Sequence, residues 1–120
     1  MHTLEEYIKM AGNAVDTIAC PAGRNPEGLY KPIVYGLEQG GKRLRPVILL
    51  AACDAVGGDS AKALPQAAAI EMYHNFTLLH DDVMDKADLR RGKPTVCNKW
   101  DDNTAILSGD TMLTLATQLV

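Results

Sequence analysis

Apolar positions in this chain gather into five long segments separated by short stretches rich in Gly, Pro and Asn, and nowhere do apolar and polar residues alternate for long enough to make a sheet. The pattern predicts an all-α protein. Thr3-Leu4-Glu5-Glu6 has the spacing of a capping box, which predicts a first helix from Leu4 to Cys20. Pro21 to Asn25 reads as a turn, and Asn25 followed by Pro26 fits an N-cap with proline in the first helical position. The second helix is predicted to end near Glu38, before the stop at Gly40-Gly41. A third runs from Arg45-Pro46 to Val56 and is closed by Gly57-Gly58. Ser60 is predicted to cap the fourth, whose Ala-rich start favours helix and which extends to Asp85 or Lys86. Arg90 to Pro94 reads as a loop, and Asp101 or Asp102 as the cap of a last helix that reaches Val120. That helix has no Gly, Pro or basic turn at its end, so the expectation is one domain over residues 1–120, truncated within its helical pattern.

Composition supports a globular chain with an aliphatic core: 47% of the 120 residues are hydrophobic, 22% charged and only 5% aromatic. A net charge of -3 argues against a nucleic-acid binder. The positive charge is nonetheless concentrated, in Lys42-Arg43-Arg45 and Arg90-Arg91-Lys93, which suggests local recognition of phosphate. Cys20, Cys53 and Cys97 are far apart and form no zinc pattern, so they read as free thiols in a reducing, cytoplasmic setting. No apolar run reaches membrane-spanning length, and no secretory signal is visible.

The candidate chemistry begins at Leu79-His80-Asp81-Asp82-Val83-Met84-Asp85. Residues four apart on a helix share a face, so Asp81 and Asp85 project together while Asp82 is turned about 100° away, into a supporting role. Two carboxylates one turn apart suit Mg2+, which keeps several waters and completes its shell with substrate phosphates. A solvated acidic helix end is the plain alternative, although carboxylates at a helix C-terminus oppose the macrodipole and so favour a cation. His74, Thr77 and Leu78 lie near the Asp81/Asp85 face with Tyr73 at its edge, whereas Phe76 falls toward the opposite side and reads as core. His74 is either a satisfied core histidine or a ligand contact. Gly40-Gly41-Lys42-Arg43-Leu44-Arg45-Pro46 places three cations just before a helix, without the spacing of a P-loop. Taken alone, either basic block is a solvated turn. Two of them flanking an acidic helix end point to a diphosphate site.

Together these blocks, with Glu71 to Asp85, Arg90-Arg91-Gly92-Lys93-Pro94-Thr95 and Ala105 to Asp110, resemble the all-trans isoprenyl diphosphate synthases, the trans-prenyltransferases that include farnesyl and geranylgeranyl diphosphate synthases. The likeness covers about residues 36 to 120. It implies an all-α bundle around a central cavity, a homodimer, and Mg2+-dependent head-to-tail condensation of isopentenyl diphosphate with an allylic diphosphate. By position, it implies that Asp81 and Asp85 hold Mg2+ on the allylic diphosphate, that Asp82 supports them, and that Arg90 contacts that diphosphate. Lys42, Arg45, His74 and Arg91 would then bind isopentenyl diphosphate. Tyr73, Phe76 and Thr77 would set product length, with one bulky residue beside a small one suggesting a fifteen- or twenty-carbon product. Two departures stand out. Cys97 occupies a position where many relatives carry histidine, and the family's second aspartate-rich motif has no counterpart in these residues, since Asp101-Asp102 begins a helix and lacks a third Asp one turn on. The 120 residues alone are therefore expected to be inactive, as the N-terminal portion of a synthase. A class I terpene cyclase fragment and a non-catalytic helical interaction subunit are the competing readings.

Overall fold

A computed structural model describes residues 1–39 and 41–120, and among these the chain is predominantly helical. Helix α1 (Leu4–Ala14) begins with the expected capping box: Glu6 N–H donates to the Thr3 hydroxyl, and Thr3 N–H donates to the Glu6 carboxylate. The segment does not stay α-helical to Cys20, because Val15–Ala19 winds as a π-helical turn. Helix α2 (Glu27–Glu38) starts one residue later than expected. Pro26, in extended backbone, occupies the N-cap position that Asn25 was expected to fill, and no side chain caps the helix. Of the expected stop, Gly40 lies outside the described residues, while Gly41 adopts φ +119°.

Helix α3 (Leu44–Ala55) ends as the sequence predicts, with Gly57 at φ +89° and Gly58 N–H returning to the Cys53 carbonyl. The cap beyond it is Asp59, not Ser60: the Asp59 carboxylate accepts from Ala61 N–H and opens a 3₁₀ turn over Ser60–Ala63. Ser60 is buried with its hydroxyl unpaired, because the longer Asp59 side chain reaches the free N–H first. Helix α4 then runs over Leu64–Met84 with proline at its start. The expected loop after it is a small antiparallel hairpin, β1 (Leu89–Arg90) and β2 (Lys93–Pro94), with Leu89 opposite Pro94 and Arg90 opposite Lys93. Arg91 and Gly92, at φ 51° and 77°, form a two-residue turn of the kind whose twist matches paired strands. A short helix, α5 (Val96–Lys99), is capped by Thr95, and α6 (Asp102–Leu119) is capped by Asp101, whose carboxylate accepts from Thr104 N–H.

Helix α4 is the axis of the fold, with α1 and α3 packed on one side and α2 and α6 on the other. The main core joins Ala68, Met72 and Leu79 of α4 to Ile33 and Leu37 of α2 and Ala105, Met112 and Ala116 of α6. A smaller cluster joins Ala67 to Tyr7, Ala11, Val47 and Leu50. Small residues let α4 and α6 approach closely, as at Gly109 against His80. A methyl group at Gly109 would lie 2.5 Å from His80 Nε2. That nitrogen is 3.0 Å from the Ile106 carbonyl and 3.4 Å from the Asp110 carboxylate. Gly109→Ala therefore has to break these contacts or part the helices, and is expected to cost about 1–3 kcal/mol of stability, the usual range for overpacking. Chemical denaturation checks this. Wild-type stability in the variant would mean that His80 moves aside freely.

Candidate functional site

The long run of α4 carries three kinds of surface, and their order around the helix follows from its rotation of about 100° per residue. Glu71, His74, Asn75 and Leu78 form one wall of a cleft of about 320 Å³, whose other walls are Gly41 to Arg45 and Arg91. Gln66, Ala69, Ile70 and Tyr73 line a second cleft of about 340 Å³, closed by Leu49, Ala116, Thr117 and Val120. The first is basic and the second almost wholly apolar. By the same rotation Asp81 and Asp85, both exposed, fall between the two faces at the end of the helix.

Lys42, Arg45, His74 and Arg91 thus meet at one cleft although they come from three separate segments. Close approach of the two basic loops depends on Gly41: a methyl group there would lie 2.7 Å from Arg91 Nη2 and 2.9 Å from its Cζ, and φ +119° is itself a conformation that a side chain resists. The hairpin that carries Arg90 and Arg91 is tied to α2, since the Tyr35 hydroxyl and the Gln39 amide both donate to the Pro94 carbonyl, at 2.7 and 3.0 Å.

Electrostatics in the cleft favour an anion. Burial pushes the His74 imidazole below its ordinary pKa, the Arg45 charge pushes the same way, Glu71 opposes, and Arg91 and Arg90 add smaller downward effects. At neutral pH His74 is neutral, and its protonation in the folded state is unfavourable. Because the folded-state pKa lies below the unfolded one, the unfolded chain binds the proton more readily, so stability is expected to fall as pH drops below about 6.5. Denaturation midpoints at pH 7.5 and 5.5, compared with those of His74→Gln, isolate this contribution. An unchanged pH slope in the variant would exclude it.

Asp82 does not join the other two carboxylates. It is buried and holds Arg90 through a paired contact, Nη2 to Oδ1 at 2.6 Å and Nε to Oδ2 at 3.1 Å. These hydrogen bonds raise the pKa of the Arg90 guanidinium, with the charges of Asp81 and Asp85 adding to the effect. Asp82 is thus engaged with Arg90, whose orientation it fixes, and is not grouped with Asp81 and Asp85.

Two hard oxygen donors at a helix end fit Mg2+ by their chemistry. Among the described residues no group of three or more His, Cys, Asp or Glu comes together to enclose a metal, so such an ion would need waters and ligand oxygens to complete its shell. On the other face, Phe76 is half-buried against the main core, edge-on to both Tyr73 and His80, as its rotation around the helix predicted. Tyr73 is half exposed in the apolar cleft, and the Thr77 hydroxyl bonds back to the His74 carbonyl. Cys97 lies within 3.2 Å of the Thr95 hydroxyl, at the cap of α5 and away from both clefts. Sequence reasoning overlooked Glu71 and Asn75. Their i, i+3 spacing to His74 and Leu78, which puts all four on one helix face, was the available signal, and Asn75 donates to the Glu71 carboxylate at 3.1 Å.

Comparison with known proteins matches residues 26–120 to the polyprenyl synthetase family model. A geranylgeranyl diphosphate synthase of Methanosarcina mazei is 46% identical over 98% of this chain and 37% of its own length. A farnesyl diphosphate synthase of Geobacillus stearothermophilus is 45% identical over 98% of this chain and 41% of its own length. A crystal structure of geranylgeranyl pyrophosphate synthase superposes with a TM-score of 0.93 at 48% identity, over 99% of this chain and 36% of that one. The chain spans about two fifths of the length of the curated relatives it matches.

Proposed function

The chain belongs to the polyprenyl synthetase family, and from that premise we propose that it forms the N-terminal portion of a synthase domain that condenses isopentenyl diphosphate with an allylic diphosphate. The observation that carries this reading is the arrangement on α4, an acidic helix end set between a basic cleft and an apolar one. One allylic substrate needs both: a place for its diphosphate among charges and a place for its tail away from water.

In this reading Asp81 and Asp85 would hold Mg2+, and Arg90, aligned by Asp82, contacts the allylic diphosphate. Mg2+ held there would supply charge neutralisation for the departing diphosphate. The residues do the rest by placement. Lys42, Arg45 and Arg91 fix the diphosphate of isopentenyl diphosphate in the basic cleft, with His74 as a neutral hydrogen-bonding partner. That placement aims the isopentenyl double bond at the allylic carbon as its bond to oxygen breaks. A new carbon–carbon bond forms, and a proton is then lost to the departing diphosphate. Charge that develops on the leaving oxygens is met by groups already in position, which is where most of the rate enhancement arises. Tyr73 lines the tail cleft, and together with Thr77 and Phe76 on the same helix it would bound product length at fifteen or twenty carbons. The three cysteines are unpaired, which supports a cytoplasmic setting, and no described helix is long and apolar enough to cross a membrane. Exposed Leu107 and Leu113 on α6 support burial against a second copy, as a homodimer.

The test is condensation. A protein containing this chain, given Mg2+, an allylic diphosphate and labelled isopentenyl diphosphate, is expected to yield an allylic product longer by one or more five-carbon units. Products formed from the allylic diphosphate alone would support a terpene cyclase instead, a reaction for which the basic cleft has no use.

A further inference from the structure

The first basic block holds three cations, and the structure separates them two from one. Lys42 and Arg45 are exposed and line the basic cleft. Arg43 contributes to the same wall, yet its side chain is only 19% exposed and its guanidinium is engaged elsewhere. Nη1 lies 3.4 Å from the Gly12 carbonyl and 3.7 Å from the Asp16 carboxylate, and Nη2 lies 3.3 Å from the Leu37 carbonyl. None of these three partners lines the cleft. Leu37 sits in the last turn of α2, where helix carbonyls present the negative end of the dipole, and Gly12 lies in α1 just before the π-helical turn.

The backbone of Arg43 is as unusual as its side chain. It is left-handed, φ 49° and ψ 43°, immediately before α3, and no side chain caps that helix. For a residue other than glycine this conformation costs about 1–2 kcal/mol. The turn separates Lys42, outside the helix, from Arg45, in its first turn, and leaves both on one cleft. Something must hold it: among the described residues the Arg43 carbonyl accepts from Val47 N–H at 3.4 Å, and the guanidinium reaches the Gly12 and Leu37 carbonyls and the Asp16 carboxylate.

We propose that Arg43 is a positioning residue for the diphosphate site: anchored to backbone carbonyls of α1 and α2, it holds the left-handed turn that aims Lys42 and Arg45 into the basic cleft, and does not itself touch the ligand. This deepens the synthase reading and rests on it. Lysine at this position would keep the charge but could not span two carbonyls and a carboxylate, since an ammonium lacks the planar fork of a guanidinium.

Calorimetric titration of inorganic pyrophosphate into the 120-residue chain tests the proposal through a double-mutant cycle of Arg43→Lys and Lys42→Ala. Each single change is expected to weaken binding about tenfold, in line with loss of one charge-assisted contact to the anion. Because Arg43 acts through Lys42 and Arg45 together, part of its effect disappears with Lys42, so the double variant is expected to lose clearly less than the roughly hundredfold that two additive tenfold losses would give. Wild-type affinity in Arg43→Lys, or losses that simply add, would overturn the proposal, additivity being the signature of an independent ligand contact. Should Arg43→Lys fail to give a wild-type circular dichroism spectrum, Asp16→Asn takes its place. That change removes a negative charge, so general electrostatics would tighten anion binding, whereas loss of the anchor is expected to weaken it about two- to threefold. Equal or tighter binding would overturn the proposal by this route. A wild-type chain that does not bind pyrophosphate at all would sink the diphosphate reading itself, a result separable from the failure of either variant.

Discussion

Alanine at position 81 is expected to abolish Mg2+-dependent binding of an allylic diphosphate, and to lower condensation by about two orders of magnitude or more in a protein able to turn over, the scale associated with removal of one electrostatic stabiliser. The reason is the small number of donors. Asp81 and Asp85 are the exposed carboxylates of the helix end, and among the described residues no further His, Cys, Asp or Glu joins them to enclose a metal. Losing one leaves a single carboxylate, and Asp82 cannot replace it because it is buried against Arg90. The substitution is at an exposed position, so folding is expected to be untouched. Turnover near wild type, or unchanged Mg2+-dependent binding, would remove Asp81 from the site.

The largest effect on stability is expected at the neighbouring pair. Arg90→Ala leaves the Asp82 carboxylate, with a side chain 9% exposed, without its cation. Removing one partner of a buried pair costs about 3–5 kcal/mol. Arg90 is itself 29% exposed, so water can partly replace it, and about 2–3 kcal/mol is the expected loss. Against a total of roughly 5–15 kcal/mol for an ordinary domain, that is a large share. The double variant Asp82→Asn, Arg90→Gln is expected to recover part of the loss, since the orphaned charge has gone. Urea denaturation of the three variants provides the check, and a loss under about 0.5 kcal/mol in Arg90→Ala would mean that the pair holds nothing in place. A ligand contact from Arg90 would appear in addition, as weaker diphosphate binding by the folded variant.

Much of this was legible from local chemistry. The capping box of Thr3 and Glu6, the Gly57-Gly58 stop and the Asp101 cap are settled within a few residues, and the structure has all three. The failures share a cause of the same scale. Asn25 and Ser60 were good caps displaced by neighbours, Pro26 in extended backbone and Asp59 with a carboxylate in reach of Ala61 N–H. The hairpin was hidden because two strands of two residues give no alternation to read, although Arg91-Gly92 between them is a turn signal of its own.

The acidic helix end and the two basic blocks were legible as residue types and helical phases, whereas the grouping of Lys42, Arg45, His74 and Arg91 came from the resemblance to the synthase family. Phase alone also placed Phe76 toward the core and separated Asp82 from Asp81 and Asp85. What phase could not give was the use of each cation. Nothing local distinguishes Arg43 from Arg45, two residues on, because the difference lies in the Gly12 and Leu37 carbonyls, contributed by other helices. The same holds for His80, whose partner Gly109 lies one helix away.

The most direct measurement is calorimetric titration of an allylic diphosphate into this chain with and without Mg2+, for wild type and Asp81→Ala. The account predicts binding that requires Mg2+ in the wild type and is lost in the variant, with no chain extension when isopentenyl diphosphate is added to these residues alone. Binding indifferent to Mg2+, or equal in the two proteins, would contradict it.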